Sequence, residues 1–340
     1  MSDFPAYPYP WQQSLWRQLD AQIEAGKLPH ALLLAGPPGI GKRHLAEALT
    51  QRLLCQQPSS GSACGRCRTC ELNRAGTHPD RLLMTPEEGS RAIKVDQVRQ
   101  VIDQLGKTAQ QGGRRVVLLY PAEAMNVNAA NALLKALEEP APETVLVLVS
   151  DSPGAVLPTI RSRCQLQLIP VPPAAQVLPW LEPLVAGSEL SAQTLLASAR
   201  GAPLAALALL AGDTLERRAE WQTLIAQLSL GQVSAVEAAA KLQGDDLDLF
   251  LRWWLGWLHD LCRWQLGLKV PVLAQLEPAV AERLQLAAPS LLQRYQEKLL
   301  GVRKQLRNGA NPNKPLVLEE AMMDWTAILR ASARNAAGQA

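Results

Sequence analysis

The stretch Gly36-Pro37-Pro38-Gly39-Ile40-Gly41-Lys42-Arg43 decides how the chain is read. It follows an apolar run, His30 to Ala35, that reads as a buried strand, and it precedes Leu45, Ala46, Ala48, Leu49 and Leu53 at helical spacing. Strand, glycine-rich loop, lysine and helix make a phosphate-binding loop. Gly36, Gly39 and Gly41 let backbone N–H groups turn inward, the helix N-terminus favours an anion, and Lys42 can reach the outer phosphates of ATP or ADP. The last position breaks the pattern. Serine or threonine there holds Mg²⁺, whereas the Arg43 guanidinium is no metal ligand and repels a cation. The shape of the loop is kept and its metal chemistry is impaired, which leaves nucleotide binding without turnover open.

Downstream, Arg81–Met84, Arg115–Tyr120, Val145–Val149 and Cys164–Ile169 read as further strands. Helical patterns lie between them, over Ile93–Leu105 and over Asn131–Glu139, where Pro140 stops the helix. Apolar strands alternating with helices predict an α/β domain built on a five-stranded parallel sheet, covered on both faces. Upstream, Leu15, Trp16, Leu19 and Ile23 predict a helix packed beside that core. In a hydrolysing enzyme of this type the strand Val116–Leu119 ends in acids that hold Mg²⁺ through water and polarise the attacking water. Here it runs into Tyr120-Pro121-Ala122-Glu123, and Glu123 comes three residues too late. Arg43, Tyr120 and Pro121 therefore fail together, and the loss of all three argues that hydrolysis was abandoned.

Between the loop helix and the second strand stand Cys55, Cys64, Cys67 and Cys70, separated by Gln, Pro, Ser and Gly. Four thiolates close a tetrahedral Zn²⁺ shell, and the short Cys-x2-Cys spacings let adjacent ligands face one ion. Four free thiols on so polar a stretch would be open to oxidation, with little else to order them. With the shell full, the zinc is structural, and about 55–75 forms the module around it.

The totals bound the rest. A chain of 340 residues is long enough for two or three domains. A net charge of +3 creates no field that demands nucleic acid. Six cysteines, four of them clustered, point to metal rather than a secreted disulfide framework. With no membrane-length apolar run and no signal-peptide pattern, the expected location is cytoplasmic, away from membranes. Pro170–Pro173 marks a boundary; small Ala- and Leu-rich helices follow to about 212, and the pattern from 213 onward is helical throughout. Six of the nine tryptophans lie from Trp221 onward, which gives that region its own core. Asn311-Pro312-Asn313-Lys314-Pro315 precedes a last helix carrying Leu316, Leu318, Met322 and Trp325. Arg303, Lys304, Arg307 and Lys314, like Arg91, Lys94 and Arg99, read as solvated basic faces.

The four-cysteine insertion, Asn131-Ala-Leu-Leu-Lys-Ala-Leu-Glu-Glu-Pro140 and Thr159-Ile-Arg-Ser-Arg-Cys164 together resemble the bacterial clamp-loader AAA+ proteins, over nearly the whole chain. The resemblance implies an AAA+ P-loop domain over 1–169, a small helical lid domain over 170–212 and an all-helical collar over 213–340. The hydrolysing motor subunits (gamma/tau) keep Ser or Thr after the loop lysine and acids at 120 and 121; this chain departs at each, and is more similar to a non-hydrolysing member. The family's sensor arginine would fall near Leu204 and is also absent. The resemblance further implies a five-subunit ring with gamma/tau and delta partners, which loads a sliding clamp onto primed DNA, and it makes Arg163 a residue that completes a neighbour's ATP site in trans. Two other readings compete: an active motor ATPase, which Tyr120 and Pro121 oppose, and a stand-alone zinc-containing DNA-binding protein, which the charge does not encourage.

Overall fold

A computed structural model describes residues 6–111, 113–188, 190–211, 214–270, 273, 276–307 and 310–337. The chain forms two compact units, Met1–Ala208 and Leu209–Ala340. Residues 212 and 213, where the expected third domain begins, lie outside the described residues.

The first unit is built on strands β1 (Ala31–Ala35), β2 (Arg81–Met84), β3 (Arg115–Leu119), β4 (Thr144–Ser150) and β5 (Gln165–Leu168). They form one parallel sheet in the order β2-β3-β4-β1-β5. Side chains alternate across it. Leu32, Leu34, Val116, Leu118, Val145 and Val147 enter the core on the side of helices α1 (Gln13–Glu24) and α2 (Lys42–Leu54). After α3 (Arg68–Ala75), helices α4 (Val95–Leu105) and α5 (Val127–Glu138) cover the opposite face over Leu33, Val117, Leu119, Leu146 and Leu148. The central strands β1, β3 and β4 are buried throughout, as their near-continuous apolar runs require. β5 lies at an edge, and its Leu166 and Leu168 are exposed.

Two buried arginines fasten helices to this frame. Arg52 of α2 bonds Asp20, at 2.9 Å, and Glu24, both on α1. Arg115 of β3 donates to the carbonyls of Leu105 and Lys107, which satisfies the end of α4. α5 begins four residues before the expected Asn131, because the Asn126 side chain accepts from Ala129 N at 2.8 Å and caps it. Short helices α6 (Pro158–Arg161), α7 (Ala174–Leu184), α8 (Ala192–Ser198) and α9 (Pro203–Ala208) complete the unit.

The second unit is helical: α10 (Thr214–Leu230), α11 (Ala235–Lys241), α12 (Leu247–Gln265), α13 (Pro278–Gln285), α14 (Pro289–Arg307) and α15 (Lys314–Ala337). Trp221, Trp254, Trp257 and Trp325 are buried in its core. Leu318, Met322 and Trp325 of the last helix pack inward as expected, but Leu316 is exposed. Two of the basic residues expected on a solvated face, Arg303 and Lys314, are instead engaged structurally. Arg303 bonds Asp248 at 2.8 Å, and Lys314 donates to the Gln243 carbonyl at 2.6 Å. The side chain of Arg307 lies outside the described residues.

Candidate functional site

In an open parallel sheet, ligand sites lie beyond the carboxyl ends of the strands. Gly36 follows β1, Tyr120 follows β3, Asp151 follows β4 and Ile169 follows β5, so all four meet at that edge. The loop glycines are required by their surroundings. Gly39 (φ 78°) and Gly41 (φ 88°) take the left-handed conformation, and a Cβ on Gly36 would sit 2.1 Å from the Ile169 carbonyl oxygen. The loop is also covered. Trp11 Nε1 and Gln12 Nε2 donate to the Ile40 carbonyl at 3.0 and 3.1 Å, and Tyr9 lies where a Gly41 side chain would be. Leu204 donates its backbone N–H to the Gly39 carbonyl at 2.8 Å, which puts the residue at the expected sensor position directly on the loop with an apolar side chain.

Lys42 is 3% exposed and already holds an anion. Its Nζ is 2.6 Å from Asp151 Oδ1 and donates to the Pro37 carbonyl at 2.5 Å. The two residues that replace the metal-binding positions meet each other. The Arg43 guanidinium carbon stands 4.2 Å from the centroid of the Tyr120 ring, a cation–π contact. Burial pushes the Tyr120 phenol above its ordinary value, and Arg43 pulls against that shift. A cation paired with a neutral phenol thus occupies the place where a hydroxyl and a carboxylate would hold Mg²⁺. Glu123 Oε1 accepts from Asp151 N at 3.1 Å, so this late acid supports the loop that carries Asp151.

Arg163 lies at the opposite edge. It follows α6 and precedes β5, so it belongs to the amino end of the sheet. Its Nε donates to Glu138 Oε1 at 2.7 Å, and its Nη1 donates to the Thr159 carbonyl at 3.0 Å. Ser162 Oγ donates to the same Thr159 carbonyl at 3.2 Å, while Cys164 is buried under α5. Arg161 donates to the Pro153 carbonyl at 3.3 Å.

Cys55, Cys64, Cys67 and Cys70 converge, with all four sulfurs within 4.8 Å of one another. Cys55 to Cys67 and Cys64 to Cys70 both measure 3.9 Å between sulfurs. A tetrahedron with Zn–S of about 2.3 Å has an edge of about 3.8 Å, so the spacing fits zinc. Gly65 (φ 74°) makes the turn between Cys64 and Cys67, and Cys64 N donates to Cys55 Sγ at 3.3 Å. Burial raises the Cys55 and Cys70 thiols. Burial also acts on Cys67, but hydrogen bonds from Thr69 and from the backbone outweigh it and bring that thiol down to about 6. Cys64 is lowered chiefly by a backbone N–H, at Arg66. A divalent cation would draw all four into the thiolate form. The fourth cysteine is not on a loop: Cys70 lies in α3, an element that the polar composition concealed.

Two site residues escaped the sequence reading. Asp151 had a signal, because it follows a buried strand at the carboxyl edge of the sheet. Glu138 had none that sets it apart from its neighbour Glu139.

The fold and its sites define a P-loop α/β protein with a four-cysteine insertion. Family models described as "DNA polymerase III, delta subunit" and "DNA polymerase III, delta subunit, C terminal" match residues 11–172 and 196–327. The chain is 42% identical to DNA polymerase III subunit delta' of Pseudomonas aeruginosa, over 94% of this chain and 98% of that protein. It is 35% identical to the subunit delta' of Escherichia coli, over 93% and 94%. Among solved structures, a DNA polymerase III gamma subunit-related protein of Thermotoga maritima aligns at 18% identity and a TM-score of 0.41, over 92% of this chain and 99% of that one. The chain belongs to the DNA polymerase III subunit delta' family, the clamp-loader subunits of replication.

Proposed function

We propose that the chain is the non-hydrolysing stator of a clamp loader and that Arg163 completes the ATP site of a neighbouring motor subunit. The observation that carries this reading is position. β1 spans five residues, so the two edges of the sheet are about 16 Å apart. Arg163 stands at the edge away from Lys42, cannot serve its own loop, and is 35% exposed. Negative charge on a transferring phosphoryl group calls for a planar donor that is always protonated, and arginine supplies it. The decay of the chain's own site supports the same division of labour, since Arg43 and Tyr120 leave no metal position and Lys42 is committed to Asp151.

The partners are gamma/tau and delta subunits in a hetero-pentamer, which acts with the sliding clamp on primed DNA in the cytoplasm. Residues 1–169 form the AAA+ domain, 170–212 the lid and 213–340 the collar that holds the ring. Zinc at Cys55, Cys64, Cys67 and Cys70 is structural. It supplies cross-linking of the insertion and no step of hydrolysis, since four protein ligands leave no open position.

The test is Arg163→Ala in a reconstituted loader. Assembly is expected to proceed normally, with clamp- and DNA-stimulated ATP turnover and clamp loading both reduced. Arginine fingers in GTPases contribute roughly 10³–10⁵ in rate, and a ring with several ATP sites loses less overall. Unchanged turnover would make Arg163 a surface charge.

A further inference from the structure

Glu138 is the last residue of α5, where a carboxylate faces the negative end of the helix dipole. An acid there is unfavourable unless a cation offsets it. Arg163 does so: Nε is 2.7 Å and Nη2 is 2.5 Å from the same Glu138 oxygen, Oε1. The side edge of the guanidinium is thus turned to α5. Nη1 is held from a second direction, by the Thr159 carbonyl at 3.0 Å, with Ser162 Oγ at 3.4 Å. A guanidinium has five N–H donors in a rigid plane. With Nε–Nη2 on Glu138, and Nη1 on the Thr159 carbonyl and, at longer range, on Ser162 Oγ, the outward Nη2 hydrogen is left for an incoming phosphoryl oxygen. Exchanging the 3.4 Å Ser162 contact for a second oxygen completes the fork that takes a phosphoryl group.

The anchors lie on elements that are themselves fixed. Leu133 and Leu137 of α5 are buried, the Leu137 carbonyl is bonded to His30 Nε2 at 2.9 Å, and Ile160 and Cys164 are buried on either side of the arginine. Holding the long arginine side chain in one pose before the neighbour's nucleotide arrives removes an ordering cost from the transition state. Resting on the trans-arginine reading, we infer that Glu138 is a positioning residue that aims Arg163 at the adjoining subunit's phosphates without touching them.

The experiment compares wild type, Glu138→Ala, Glu138→Gln, Arg163→Ala and the double variant Glu138→Ala/Arg163→Ala in the reconstituted loader. Assembly is followed by size-exclusion chromatography, and ATP turnover is measured with clamp and primed DNA. Glu138→Ala is expected to lower kcat about three- to fivefold with KM for ATP unchanged, the scale of one partly exposed ion pair. Glu138→Gln keeps an accepting oxygen and should recover part of that loss. The double variant should be no slower than Arg163→Ala, because the carboxylate acts through the arginine. A full-rate Glu138→Ala beside a slow Arg163→Ala would overturn the positioning role and leave the trans arginine standing. An unimpaired Arg163→Ala would remove the underlying reading as well. Losses that add in the double variant, or an assembly defect in Glu138→Ala, would make the glutamate an interface or stability residue instead.

Discussion

Arg43 and Tyr120 show how two departures from a catalytic pattern become one feature. Each alone reads as damage to an ATP site, and in the fold each provides the other's partner. The same holds for Lys42, whose phosphate-seeking ammonium is matched by Asp151. The functional consequence is that the isolated chain should hydrolyse ATP no faster than a Lys42→Ala control. Steady-state phosphate release checks this, and Lys42-dependent turnover would return the chain to the motor subunits. Placing Ser at 43, Asp at 120 and Glu at 121 is not expected to restore turnover. Leu204, whose backbone is bonded to Gly39, still leaves the loop without the arginine expected at the sensor position.

At the scale of elements, the cysteine module shows local chemistry ordering a segment with little apolar material of its own. Its buried apolar cluster is Cys55, Ala63 and Cys70, a core too small to hold a turn and a short helix together unaided. Protein purified without chelators should carry about one zinc per chain, and Cys70→Ser should lose it. Zinc far below one equivalent in wild type, or full retention in the variant, would remove the metal from the account. The pH dependence follows from the ligand form. Zinc binds thiolates, so protons compete and the metal is released as pH falls, Cys70 and Cys55 resisting deprotonation more than Cys67. The Cys-x2-Cys spacing made the ligand set legible, since adjacent ligands are local in sequence. The helix α3 that carries Cys70 was not legible, because a polar eight-residue segment has no strong apolar period.

On the scale of the whole molecule, the second unit is held by aromatic packing. Trp254 is fully buried, stacks on Trp257 at 5.2 Å between centroids, and donates to the Tyr295 hydroxyl at 3.0 Å. That hydroxyl in turn donates to the Ala321 carbonyl at 2.8 Å. Trp254→Ala should destabilise this unit by about 3–5 kcal/mol, through the cavity and the lost donor. The expected readout is a lower denaturant midpoint and loss of co-elution with the other loader subunits, while zinc content is kept. A variant that assembles normally would remove the ring-holding role proposed for this unit. The sequence by itself determined the phosphate loop, the strands of a parallel sheet, the four-cysteine cluster and the departures from the metal-binding pattern. Each of these is written in a short window as residue type and spacing. Only the tertiary structure decided that Arg43 meets Tyr120, that Asp151 occupies Lys42, and that Arg163 pairs with Glu138 at the edge opposite the loop. Those pairs are joined by the strand order β2-β3-β4-β1-β5, and that order comes from which faces can be buried together, a property that no local window contains.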